Sequence, residues 1–162
     1  MISKIRNRME SEQGFTLIEL LVVILIIGIL AAIAIPSFLN QREKGQDACA
    51  KSMARTMQTA METYYIDNNS YAASSVAQLG AIESQVTSSQ CGAGTNIVVG
   101  QTAASGACTG TVAAGAYCVS ATSAATSGGS NHSFAIARDT AGKITRTCGP
   151  VSNGGCVAAG TW

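Results

Sequence analysis

Between Leu20 and Ile35 every residue is apolar or glycine, and no other feature limits the chain so strongly. The run reaches back to Phe15 with Thr16 and Glu19 as its only polar interruptions. Roughly 20 such residues in helical rise cross a bilayer core of ~30 Å. Backbone in hydrocarbon must satisfy its own hydrogen bonds, so the segment is predicted to be helical. Beyond Pro36 the pattern becomes periodic. Cys49, Met53, Met57, Ala60 and Tyr64 recur at helical spacing, with Lys51, Arg55, Gln58 and Glu62 off the stripe. An amphipathic helix of this kind needs a partner for its apolar face. A single helix to about Tyr65, apolar on all sides and then on one, is the first expectation.

With 162 residues, the chain has fewer than a hundred left for a globular head beyond that helix. Such a head supports only a thin core. Asp67-Asn68-Asn69-Ser70 reads as a turn. A calcium loop is the weaker reading, because Asp67 is the lone carboxylate there and the spacing is not that of an EF-hand. Ser75-Val76-Ala77-Gln78 has the capping-box pattern and opens a short helix to about Gln85. From Ser84 to Ala137 there is no Asp, Glu, Lys or Arg. Within that stretch Asn96 to Val99, Ala116 to Thr122 and Ser133 to Arg138 read as strands, followed by Lys143 to Thr147. Residues 138–143 form the hairpin turn between the last two. The expected fold class is α+β: a long N-terminal helix packed through Met53, Met57 and Met61 on a small antiparallel sheet.

Six cysteines, Cys49, Cys91, Cys108, Cys118, Cys148 and Cys156, include no Cys-x-x-Cys pair, and His132 is the only histidine. A zinc site has little support on that spacing, and disulfides are expected. Five cysteines lie beyond residue 90, an odd number. If none is free, Cys49 must bind the head. Six cysteines allow fifteen pairings, so parity fixes no more than that. The pairing we expect is Cys49 with Cys91, Cys108 with Cys118 and Cys148 with Cys156.

The string Gly14-Phe15-Thr16-Leu17-Ile18-Glu19-Leu20-Leu21-Val22-Val23, followed by Gly28 to Pro36, closely resembles the class III signal of type IV pilins and pseudopilins. The resemblance covers about 25 residues without a gap and implies a processed precursor. Residues 1–14 would be a leader, 15–36 a transmembrane and filament-core helix, 37–66 the amphipathic helix and 67–162 the head. A membrane-embedded prepilin peptidase would cut between Gly14 and Phe15 and methylate the new Phe15 amine. Lys4, Arg6 and Arg8 suit a cytoplasmic leader, although Glu10 and Glu12 dilute the signal. The alternative is an ordinary secretory signal cut near Ala31-Ala32-Ile33-Ala34, which the continuing helix pattern disfavours.

A carboxylate at Glu19 costs a few kcal/mol in an apolar segment and needs a partner or a wet headgroup layer. The resemblance implies that its partner is the Phe15 amine of a neighbouring subunit, which neutralises both charges and fixes register. Pro36 removes a backbone donor and crowds the carbonyl of Ala32, so a bend or loosened turn is expected there. By resemblance, the helix loosens between Gly28 and Pro36. The Cys148 to Cys156 loop is similar to the C-terminal disulfide loop of many type IV pilins. Three disulfides depart from their commoner single one and put the details of the head in doubt.

Enzyme chemistry has no visible constellation. There is no Gly-x-Ser-x-Gly elbow, and Ala141-Gly142-Lys143 lacks the rest of a phosphate loop. His132 sits in a loop-like Gly-Gly-Ser-Asn-His context and is expected at the surface. Asn68-Asn69-Ser70 and Asn131-His132-Ser133 match the glycosylation pattern, which is weak evidence in a chain with a bacterial-type signal. Arg138, Lys143 and Arg146 form a small basic cluster, more often a solvated face than a DNA contact. The full chain carries a net charge of +1, which also disfavours a dedicated nucleic-acid protein. Without the leader it would hold seven basic and seven acidic side chains, a neutral balance that suits dense packing.

The resulting expectation is a pilin, first in the cytoplasmic membrane and then in an extracellular filament. No catalytic residue, metal or cofactor is expected. Its partners would be copies of itself in a helical homopolymer, the prepilin peptidase, the assembly platform with its ATPases, and membrane lipid before assembly. A pseudopilin of a type II secretion or competence system is the nearest alternative. A tethered binding domain comes next and a soluble enzyme last.

Overall fold

The computed structural model describes residues 14–71, 74–86, 91, 97–100, 102–104, 107–109, 115–127, 129–151 and 155–162. The expectations for residues 1–13 and for Asn96 lie outside them. Helix α1 (Leu17–Asn68) is the longest element, and the chain divides into two compact units, Met1–Leu39 and Asn40–Trp162. In the first unit every large apolar side chain from Phe15 to Leu39 is exposed. In the second, α1 buries Ala50, Met53, Ala54, Met57, Ala60, Met61 and Tyr64. These recur at the three- and four-residue steps that put side chains on one helix face.

The helix runs to Asn68, three residues past the expected end. The Asn68 side-chain amide donates to the Tyr64 carbonyl at 2.9 Å, and the Asn69 amide to Tyr65 at 2.7 Å with φ 56°. Asparagine tolerates this left-handed closing residue, so the predicted turn begins later than its first two residues suggest. Helix α2 (Val76–Ile82) is capped by Ser75, whose hydroxyl accepts the Gln78 amide at 3.3 Å. It stops before the expected Gln85, where the Glu83 amide closes on the Leu79 carbonyl at 2.8 Å.

Four strands form the main sheet: β1 (Ile97–Gly100), β4 (Tyr117–Ser127), β5 (Ser130–Arg138) and β6 (Ile144–Gly149). All neighbours are antiparallel in the order β1-β4-β5-β6. A separate antiparallel pair, β2 (Thr102–Ala104) and β3 (Ala107–Thr109), was not legible in the sequence. Strands β4 and β5 are longer than predicted. Pairing continues past a register shift between Thr122 and Thr126 to Ser127↔Ser130, with Gly129 at φ 82°. The β5–β6 turn is held by Asp139, whose Oδ1 accepts the amides of Ala141 at 3.0 Å and Lys143 at 2.8 Å. Tyr117, Val119, Ala121, Phe134 and Ile136 share the core with Met53, Met57 and Met61 of α1. Disulfides join Cys49 to Cys91, Cys108 to Cys118 and Cys148 to Cys156.

The expectation of a surface histidine is wrong. His132 is 1% exposed, and its Nδ1 lies 2.9 Å from both carboxylate oxygens of Asp47, itself 2% exposed. Strand β5 begins three residues before the predicted Ser133, which turns His132 inward. The Gly155 amide donates to Asp47 Oδ2 at 2.9 Å, and Lys51 Nζ donates to the Gly155 carbonyl at 2.7 Å. A β-carbon on Gly155 would lie 2.6 Å from Lys51 Nζ and would push the lysine tip off this contact. A buried carboxylate is tolerable when its lone pairs are taken up in this way.

A second polar tie joins α1 to the sheet. Glu62 accepts the Tyr71 hydroxyl at 2.7 Å and the Tyr117 hydroxyl at 2.9 Å, with Arg138 Nε 3.7 Å away. Burial, and then the bond to Glu62, pushes Tyr71 up to about 12 and Tyr117 higher still. Both groups hold their protons more tightly folded than unfolded. Their stabilisation is therefore complete below the ordinary phenol value near 10 and is lost as pH rises from there through about 12. Ultraviolet titration of the folded chain should show Tyr71 and Tyr117 ionising well above pH 10, with unfolding accompanying their release. Ionisation of both near pH 10 would contradict the arrangement. Asp47→Ala should cost about 3 kcal/mol in urea unfolding, because it strands a buried imidazole and an amide. A loss below about 0.5 kcal/mol, the range of an ordinary surface change, would remove the tie.

Candidate assembly site at the helix N-terminus

Thr16 stands at the start of α1. Its hydroxyl accepts the Glu19 amide at 3.2 Å, and its carbonyl accepts the Leu20 amide at 3.2 Å. Thr16-Leu17-Ile18-Glu19 is thus a capping-box pattern, a signal present in the sequence that the reading of Glu19 as a misplaced charge passed over. A carboxylate in the first turn also faces the positive end of the helix dipole. Glu19 is the one acidic residue in that turn and is exposed. Thr16 fixes the local backbone, and the Glu19 side chain is left facing outward.

Gly14 and Phe15 precede the helix and are exposed, Phe15 at 80%. Phe15 lies just before the first turn of α1, the turn that carries Glu19. Gly28 has open space where a β-carbon would be, and lies in a shallow apolar groove with Leu21, Ile24, Leu25, Ile29 and Ala32. The helix continues through Pro36, which lacks the amide that would bond the Ala32 carbonyl. By length and composition α1 can cross a membrane, and none of its most apolar window is buried by protein.

The remaining residues singled out from sequence lie elsewhere. The cysteines serve the head. Arg138 is taken up by Glu62 and by the Gly115 carbonyl at 3.2 Å, so the basic cluster with Lys143 and Arg146 is not a uniform free face. Among the described residues no group of three His, Cys, Asp or Glu is placed to hold a metal ion. His132 and Asp47 were missed as partners, since 85 residues separate them and nothing local pairs them.

Residues 9–35 match the family described as the prokaryotic N-terminal methylation motif. The chain is 45% identical over 69 residues to the type IV wide pilus major component of Thermus thermophilus, covering 43% of this chain and 53% of that one. It is 50% identical over 56 residues to the type IV major fimbrial protein of Dichelobacter nodosus, with 35% and 36% covered. It is also 38% identical over 60 residues to the type II secretion system core protein G of Pectobacterium carotovorum, with 37% and 38% covered. The chain therefore spans about half the length, or less, of these relatives. No solved structure matches it. The chain carries the prepilin-type N-terminal segment of the type IV pilin and pseudopilin family.

Proposed function

We propose that this chain is a structural subunit of a type IV pilus. One observation carries the reading: a methylation-motif helix whose large apolar side chains are all exposed from Phe15 to Leu39 continues into a disulfide-tied head. Such a surface is stable in only two settings, lipid or a bundle of similar helices. The precursor uses the first and the filament the second. Prepilin peptidase cuts between Gly14 and Phe15 and methylates the new amine. An assembly platform with separate ATPases then moves the subunit from the cytoplasmic membrane into a surface filament.

Within the bundle, Glu19 meets the Phe15 amine of a neighbouring copy. Uncompensated, that carboxylate costs a few kcal/mol among apolar side chains. Paired, it disfavours every stagger except the one that brings an amine to it. Gly28, at the floor of its groove, admits a neighbouring helix closely, and the open carbonyl of Ala32 beside Pro36 gives the bundle a place to yield. The same helix serves a pseudopilin of a type II secretion system, a reading supported by the likeness to core protein G. Pseudopilins of secretion systems generally have few cysteines, so the three disulfides favour the pilus. The Glu19→Ala chain should insert and be cut normally yet give at least tenfold fewer sheared surface filaments. Filament yield equal to wild type would remove Glu19 from assembly.

A further inference from the structure

Two incomplete surfaces on the head lie nearly four turns apart along α1. At the first, Lys51 Nζ is 5.8 Å, Arg55 Cζ 5.3 Å and Arg146 Cζ 6.0 Å from the centre of the Trp162 ring. Lys51 Nζ is also 5.1 Å from the Phe134 ring. The indole N–H donates to the Thr147 carbonyl at 3.0 Å, which holds the ring in place. Three cations on one indole repel each other, and among the described residues no Asp or Glu forms an ion pair with any of them. Asp47, the nearest acid towards the helix start from Lys51, is already taken by His132 and the Gly155 amide.

The second surface is the end of α1. Ile66, a large apolar side chain on the head, is 80% exposed, and exposed Asp67 follows it. A carboxylate in a helix's last turn faces the negative end of the dipole and calls for a cation. The last turn of α1 contains no basic residue. Of the head's other carboxylates, Asp47, Glu62 and Asp139 are engaged within the head, and Glu83 stands at the C-terminal end of α2. Glu43 lies between Arg42 and Lys44, so the first surface stays net positive.

We propose that these two surfaces bind each other between copies: Lys51, Arg55, Arg146 and Trp162 of one head receive Ile66 and Asp67 of the next. This rests on the polymer reading above. An aromatic ring ringed by cations complements an aliphatic side chain beside a carboxylate. A contact joining different patches is head-to-tail, the kind that propagates into an open filament. Copies in a helical polymer are alike, so about 13 residues at 1.5 Å rise displace the contacting heads by about 20 Å along the α1 axis.

The test uses the full-length chain in cells that make filaments. Lys51→Glu with Arg55→Glu, and separately Asp67→Lys, should each lower sheared filament yield roughly tenfold through like-charge contact. All three substitutions together should restore yield to within about twofold. Non-reducing gels would confirm intact disulfides, and Asp67→Lys, at an exposed helix end, guards against simple misfolding of the other variant. Wild-type filaments should also loosen at ~1 M salt, where the screening length falls to about 3 Å. Normal yield from both reversals, or no recovery on combining them, would overturn the contact. Normal filaments that lose retention on a polyphosphate column would assign the cations to an external polyanion and overturn it too. If Glu19→Ala fails to assemble while the reversals assemble normally, the polymer reading survives and this contact does not. Wild-type chain found only as monomer would end both.

Discussion

A helix with apolar side chains on every side cannot stay in water, and the rest of the molecule follows from that. Burying a Leu, Ile, Val or Phe side chain is favourable by about 1.5–3 kcal/mol. The run of large apolar residues from Phe15 to Leu39 therefore represents on the order of 30 kcal/mol awaiting a partner. Within α1 the buried residues begin at Asp47. On the proposed function, lipid supplies that partner first and neighbouring helices later. Since lipid and helix surface are similarly apolar, the exchange between them is close to balanced. Small directional terms can then decide assembly, which is the weight we propose for the carboxylate at Glu19 and the exposed patch near Asp67.

The head solves the opposite problem. Its core is thin and rich in small residues, so ties across it matter. Met53, Met57 and Met61 fill an irregular interface against Val119, Phe134 and Ile136 with adaptable side chains. Cys49–Cys91 crosses from helix to loop, Cys108–Cys118 links the two sheets, and Cys148–Cys156 holds the tail against β6. Each restricts the unfolded chain, and such bonds typically contribute about 2–4 kcal/mol. Asp47–His132 and Glu62–Tyr117 add polar bonds between α1 and the sheet at two levels along the helix. Together they hold the 47–62 stretch of α1 against the sheet.

The long helix and the main sheet were legible because their signals are periodic and local. The apolar run, the Met stripe and the alternation in Tyr117 to Val119 and Phe134 to Ile136 each point to one answer. Boundaries were not, since capping by Asn68 and Asn69 and the pairing of Ser127 with Ser130 depend on contacts the sequence does not display. The pair β2–β3 lies in a stretch of Ala, Gly, Ser and Thr without contrast between faces. His132 was misread for a related reason: its neighbours resemble a loop, and the residue that determines its place is 85 positions away. At the assembly site the residue types were visible from the start. The Thr16 cap, which orders the backbone beneath Glu19, emerged only with the geometry.

The central claim is that one apolar helix anchors the precursor and then builds the polymer, starting at Phe15. Mass spectrometry of the N-terminal peptide from sheared surface filaments tests it most directly. The account predicts a peptide that begins at Phe15 with a methylated amine and is abundant in the filament fraction. A peptide that begins at Met1 or beyond Ala34, or filaments without this chain, would contradict it.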